Sequence, residues 1–238
     1  MFTFGLNRVP FADSGFALQP RKVVRGATAD WYPGNTVLDG NLADDPDNAN
    51  TNMPWYLRAG MVLGLVTASK KFAPSILGVL QSAYSHTNSL NAHLFVTPAQ
   101  AVAIARRMAY DLTTTLTLTG PPTASGTSVQ QTVTVSSINT LTGNITMTGA
   151  LGADAIAGSL VGGVDGSQNP LTVLDKEDGL VIVTPMFVRY DAGFALLTRG
   201  TLLTANIVNY PTNAKMVAWL QGKLDGNGIF TFDDTFGG

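Results

Sequence analysis

The chain has 238 residues and a formal net charge of −2. Only 13% of its residues are charged, against roughly 25% in an average soluble domain. This balance does not collect phosphates, so a nucleic-acid partner is not expected, and the absence of cysteine removes disulfides, thiolate catalysis and cysteine-held zinc from consideration.

Glycine (25) and proline (12) are frequent, and Thr, Ser and Asn are abundant. A polar but uncharged surface loses little hydration energy when another protein covers it. That composition fits an ordinary β-rich domain or a subunit whose surface is largely occupied by neighbours. No apolar run approaches the roughly 20 residues that cross a bilayer, so no membrane partner is expected. The opening MFTFGLNRVPFADSGFALQP has no basic start followed by an apolar block; a signal peptide is not expected and a cytoplasmic product is the default.

Residues 1–55 show no sustained periodicity and are cut by prolines at 10, 20, 33, 46 and 54. Yet Phe2, Phe4, Phe11, Phe16, Trp31 and Trp55 are scattered through them, and a disordered tail is poor in aromatics. The segment reads as an extended arm whose aromatic side chains dock on its own body or on another subunit. Asp39, Asp44, Asp45 and Asp47 are clustered within it. Their spacing is not that of an EF-hand loop and the closing glutamate is missing, so a solvated turn is the better reading than a calcium site.

Residues 57–80 predict a strand, a polar turn at "SKK", and a return through "FAP" and "SILGVL". Met61, Leu63 and Leu65 alternate with Val62, Gly64 and Val66, so both faces are apolar; Gly64 suggests a bulge or a close backbone approach. Such strands suit a small closed barrel or a sandwich. Residues 81–96 read as a polar connector carrying His86 and His93. With no third ligand evident, the two histidines read as solvated side chains rather than a metal pair.

Residues 97–112 give the clearest helix. Thr97 suits the N-cap, Pro98 the first helical position, and Gln100 completes a T-x-x-Q capping box. Ala101, Ile104, Ala105, Met108, Ala109 and Leu112 follow the 3.6-residue period, and Arg106 and Arg107 come late, where cations suit the helix dipole. Residues 113–150 then turn to β structure: "TLTLTG" alternates, and "VQQTVTVSSI" and "NITMTG" form a hairpin around "NTLTG". Residues 151–174 are read as a short helical turn followed by glycine-rich loops, so that 92–174 makes a unit of its own.

"DKEDG" at 175–179 is a charged turn; its carboxylates read as solvated rather than as an acid–base pair. In 179–208, "LVIVTPMFV" is a core strand marked by Pro185, and "FALLTRGTLLTANIV" holds two short strands around Arg199–Gly200. Residues 211–224 predict a helix burying Met216, Val217, Leu220 and Leu224; "DGNG" closes it, and "IFTFDD" is a final strand. No fixed-period repeat and no nucleophile-elbow, phosphate-loop or H-E-x-x-H motif is present.

Two stretches carry a resemblance. "AGMVLGLVTASKKFAP" (59–74) resembles the G-x-V-L-G-x-x-T-x-x-x-x-x-x-P strand pair of the lambda-type phage head decoration proteins. "LLTRGTLLTANIVNYPTNAKMVAWLQGKLDGNGIFTFDD" (196–234) resembles their C-terminal part: an R-G strand turn, a short strand, a helix and a closing G-I-F-x-x-x-D. Together they cover about a quarter of the chain, in the family's order.

The fold expectation is therefore a mainly β protein with two short helices. It has a small decoration-protein-like barrel or sandwich core (56–91 and 175–238), an inserted helix-plus-hairpin module (92–174) and an extended N-terminal arm (1–55). The resemblance implies a non-enzymatic capsid cement protein, without cofactor or metal. It would be made in the host cytoplasm and located on the outer surface of the virion as a homotrimer, clamping neighbouring major capsid subunits. In such proteins an N-terminal segment commonly orders on docking, which makes the aromatics at 2, 4, 11, 16, 31 and 55 the candidate contacts. Two other classes compete: a tail or surface β-rich carbohydrate-binding adhesion protein, suggested by the Thr/Asn-rich strands, and, well behind, a hydrolase using the carboxylates of 39–47 or 175–178.

Overall fold

The structure is a computed structural model that describes residues 24–32, 37–38, 56–57, 60–66, 70–87, 92–111, 114–121, 129–162, 180–181, 186–187, 192–193, 196–224 and 230–234. The first half of the chain forms β1 (Val24–Tyr32), β2 (Val37–Leu38), β3 (Tyr56–Leu57), β4 (Val62–Val66), β5 (Lys71–Pro74), β6 (Ile76–Val79), β7 (His93–Phe95) and helix α1 (Pro98–Asp111). The second half forms β8 (Thr115–Gly120), β9 (Val129–Asn139), β10 (Asn144–Met147), β11 (Leu160–Gly162), β12 (Leu180–Val181), β13 (Met186–Phe187), β14 (Ala192–Gly193), β15 (Leu196–Leu203), helix α2 (Ala214–Leu224) and β16 (Phe230–Asp233). The protein is thus mainly β with two helices.

The dominant layer is an antiparallel six-stranded sheet in the order β6-β11-β8-β9-β10-β7. It curls into a half-barrel. Its two edges approach each other where Gln81, just past β6, donates its backbone N–H to the Phe95 carbonyl of β7 at 2.8 Å. Helix α1 packs against β6 at one edge of the sheet and against the neighbouring β9 and β10 towards the other, so the sheet wraps the helix. The trough between them is filled by Leu77, Leu94, Ile104, Leu116, Leu118 and Ile145, each no more than 2% exposed.

A second core lies on the other face of β6 and β11. There Ile76, Val79 and Leu160 meet Val62 of β4, Leu202 of β15, Met216, Leu220 and Leu224 of α2, and Phe230 of β16. Strand β6 serves both cores through a bulge. Val161 pairs with Gly78 and Gly162 with Ile76, so Leu77 is the extra residue. Ile76 and Val79 therefore face α2, while Leu77 and the space above Gly78 face α1. The chain crosses from the β4–β5 hairpin into this sheet at Ser75. That residue is fully buried, and its N–H and hydroxyl both donate to the Val62 carbonyl at 3.1 Å.

The smaller sheets are β12-β4-β5-β2-β14, β1-β15-β16 and the pair β13-β3. The predicted 57–74 hairpin is present: Leu63 pairs with Pro74 and Val66 with Lys71 around a turn holding Lys70 at φ +56°. Its pairing is regular through Gly64, and the bulge lies in β6 instead.

Several expectations change. Residues 81–96 are more than a connector. Tyr84 is buried and exchanges two backbone hydrogen bonds with Ala155 (2.8 and 3.0 Å), and 93–95 form the edge strand β7. Residues 151–159 contain no helical turn, and Leu160–Gly162 is a strand held between β6 and β8. The six-stranded sheet therefore takes its edge strand β6 from outside 92–174. The segment around Arg199–Gly200 is one eight-residue strand, because β1 and β16 flank it on both sides. Within the N-terminal segment, Val24–Tyr32 is a strand antiparallel to β15, with irregular register at Asp30. Helix α2 starts at Ala214, since Asn213 caps it by accepting the Lys215 N–H on Oδ1 at 3.0 Å.

Candidate functional site

The described residues of 59–74 and of 196–234 lie against one another. Gly60, at the start of the first, accepts the Val208 N–H on its carbonyl at 2.8 Å. It holds φ +91°, and a Cβ there would come within 2.0 Å of the Asn206 carbonyl oxygen. Only glycine permits that approach. Val62 follows in the same stretch and enters the core made by Leu202, Ile207, Met216, Leu220 and Phe230 of the second. Segments more than a hundred residues apart thus form one packed unit beside the half-barrel.

Where this unit meets the half-barrel there is a cleft of about 370 Å³. Its polar lining comes from Gln81, Gln100, Asn209, Tyr210, Thr212 and Asn213. The capping box at the start of α1 builds one wall. The Gln100 N–H donates to Thr97 Oγ1 at 3.3 Å, and the Thr97 N–H donates to Gln100 Oε1 at 3.2 Å. The same Oε1 accepts the Val79 N–H at 3.3 Å, and Gln100 Nε2 donates to Asn209 Oδ1 at 2.8 Å. Asn209 in turn donates Nδ2–H to the Ile76 carbonyl at 3.1 Å. It sits at φ +56°, a left-handed conformation that asparagine tolerates better than most residues.

Tyr210 forms another wall. It packs partly against the second core, and its hydroxyl accepts a hydrogen bond from Gln221 Nε2 at 2.8 Å. Desolvation, aided by the nearby charge of Asp234, pushes its pKa up to about 12 despite the opposing Gln221 bond. Among the described residues that line the cleft there is no Asp, Glu, Lys, Arg or His.

The sequence-predicted site residues are placed as follows. Phe2, Phe4, Phe11, Phe16 and Trp55 lie outside the described residues, as do the carboxylates of 39–47 and 175–178. Trp31 falls in β1, where its backbone is paired opposite Leu197. His86 and His93 are apart in role. His93 Nδ1 is 3.4 Å from Thr146 Oγ1. His86 is joined to Asp154, whose Oδ1 accepts the His86 backbone N–H at 2.7 Å and lies 2.7 Å from its Nδ1. These bonds hold the Asp154 carboxyl below the usual aspartate range. Among the described residues no three His, Cys, Asp or Glu gather around a common point.

The cleft was not visible as a site in the sequence. Gln100 was legible only as a capping residue, and Asn209, Tyr210 and Asn213 sat in a turn with no motif. Among the described residues the exposed large apolar side chains are Leu141 (87%) and Phe95 (40%). Leu141 lies in the β9–β10 turn, and Phe95 pairs opposite Asn144, at the end of that turn.

No protein-family model, no curated protein and no solved structure matches the chain.

Proposed function

We propose that the protein is a structural decoration protein of a phage head. It attaches to the outer surface of the icosahedral shell as a trimer and holds neighbouring major capsid subunits together. One observation carries this reading. The two stretches that resemble head decoration proteins, 59–74 and 196–234, pack on one another through Gly60–Val208 and a shared core. A chance likeness of two short stretches carries no requirement that they meet in space.

The composition supports the same reading. Low charge lets large faces be covered without stripping water from ions, and many identical copies on a shell gain avidity from individually modest contacts. In this reading the N-terminal aromatics are the docking contacts, since large aromatic side chains dominate interface energetics.

The test mixes purified protein with expanded heads of the same virus that lack it. Saturable binding is expected, together with improved survival of the heads on heating and osmotic shock. Heads that bind none, or that are no hardier when saturated, would sink the proposal. The mass of the free protein in solution reports the trimer separately.

A further inference from the structure

We propose that the cleft between the start of α1 and the 209–213 turn binds an uncharged saccharide unit. The groups lining it define the ligand chemistry. Each amide nitrogen carries two hydrogens. Gln100 Nε2 uses one on Asn209, and Asn209 Nδ2 uses one on Ile76, so each keeps a second hydrogen. Asn213 spends its Oδ1 on the cap of α2, leaving an amide nitrogen. Gln81 donates from Nε2 to the Val79 carbonyl at 3.2 Å, leaving its Oε1 as an acceptor. The Tyr210 hydroxyl accepts from Gln221 and keeps its own hydrogen to donate. Thr212 is exposed at the rim and adds a hydroxyl.

The cleft therefore offers several neutral donors, a few acceptors and part of an aromatic ring. None of the described residues that line it carries a formal charge, so an ionic ligand would find no counter-charge among them. A purely apolar ligand would leave the amide hydrogens unpaired, which costs binding energy. An extended peptide seeks a regular edge of alternating donors and acceptors, whereas these groups are side chains around a concavity. A neutral sugar ring supplies hydroxyl oxygens for the donors, hydroxyl hydrogens for Gln81 and Thr212, and a C–H face for Tyr210.

The volume lies within the roughly 300–1,000 Å³ of small-molecule sites, at about 370 Å³. The walls are also preorganised. Gln100 is 6% exposed and is tied to α1, β6 and the 209 turn, so ligand binding need not freeze it. This inference is independent of capsid attachment, because it concerns a site on the free protein.

Saturation-transfer NMR on the full chain tests it with maltose, lactose and N,N′-diacetylchitobiose as probes and with triglycine amide as the peptide comparison. Saturable binding of at least one disaccharide is expected. Asn213→Asp keeps an oxygen to cap α2 but removes the amide hydrogens, and should weaken that binding about tenfold. Thr212→Trp, an exposed position, should block it. Leu141→Ser, an exposed side chain that is not among the residues lining the cleft, should leave it unchanged. Binding of none of the sugars, binding of triglycine amide alone, or sugar binding that survives both cleft variants would each overturn the proposal.

Discussion

Gln100 and Asn209, 109 residues apart in sequence, are joined side chain to side chain at 2.8 Å. Through them the first turn of α1, strand β6 and the turn leading into α2 become one polar network. Removing either partner leaves buried groups without bonds. Gln100→Ala loses the reciprocal cap and strands the Val79 N–H, so it should destabilise by about 2–4 kcal/mol. Asn209→Ala loses the bond to the Ile76 carbonyl and puts a poorly suited residue at positive φ, for about 2–3 kcal/mol. The double variant should fall short of the sum by at least about 0.5 kcal/mol, since both single changes break the same bond. Urea unfolding of the four proteins measures this directly.

Gly60 ties the β4 stretch to the turn after β15, and no side chain fits there. Gly60→Ala drives a methyl group into the Asn206 carbonyl at positive φ. The backbone must then shift and the Gly60–Val208 bond is lost. The expected cost is about 3 kcal/mol or more. The loss should appear first as faster amide exchange at Val208, with exchange at Ile104 and Leu118 in the other core affected less.

These positions show which parts of the fold the sequence makes legible. The α1 capping box and the 139–143 hairpin turn are local: Thr97, Pro98 and Gln100, or Asn139 and Gly143, carry their instructions within a few residues. The β4–β5 hairpin and the β16 strand follow for the same reason. Strand β11 was hidden because Gly162 and the glycines flanking the strand read as loop. Yet Gly162 is required by packing, since a Cβ there would lie 2.7 Å from Thr117 Oγ1 on the neighbouring strand. Strand β1 was hidden because its irregular register with β15 erases the two-residue period. The cleft was hidden because it is made by tertiary pairing: nothing near residue 100 announces residue 209. The position of α1 inside the curled sheet is of the same kind.

The β9–β10 turn separates shape from surface. Asn139 Oδ1 accepts the N–H groups of Leu141 (3.0 Å) and Thr142 (3.2 Å), and the Asn139 carbonyl accepts that of Gly143 at 2.9 Å. Gly143 holds φ +75° against the Val96 carbonyl. Leu141 joins this only through its backbone N–H, and the residue is 87% exposed. Asn139→Ala should therefore cost about 1 kcal/mol. Leu141→Ser should stay within about 0.5 kcal/mol of the parent. Urea midpoints distinguish the two, and a large loss in the serine variant would mean that the turn is held by packing rather than by the asparagine.

Tyr210 should give the protein an alkaline limit. Its pKa is raised from the ordinary tyrosine value of 10.0 to about 12, chiefly because folding removes the hydroxyl from water. A group that holds its proton more tightly when folded stabilises fully below its unfolded pKa, and that contribution fades as pH rises through the folded value. The Tyr210 contribution should therefore be intact below pH 10 and disappear between about pH 10 and 12. The informative quantity is a difference between two proteins under the same conditions. Tyr210→Phe removes the titrating hydroxyl and also the bond from Gln221. It should be less stable than the parent at pH 8, and the gap should narrow on approaching pH 12. Urea midpoints of both proteins at one-unit intervals from pH 8 to 12 measure it. A constant gap across the range would mean that the hydroxyl titrates as it does in the unfolded chain.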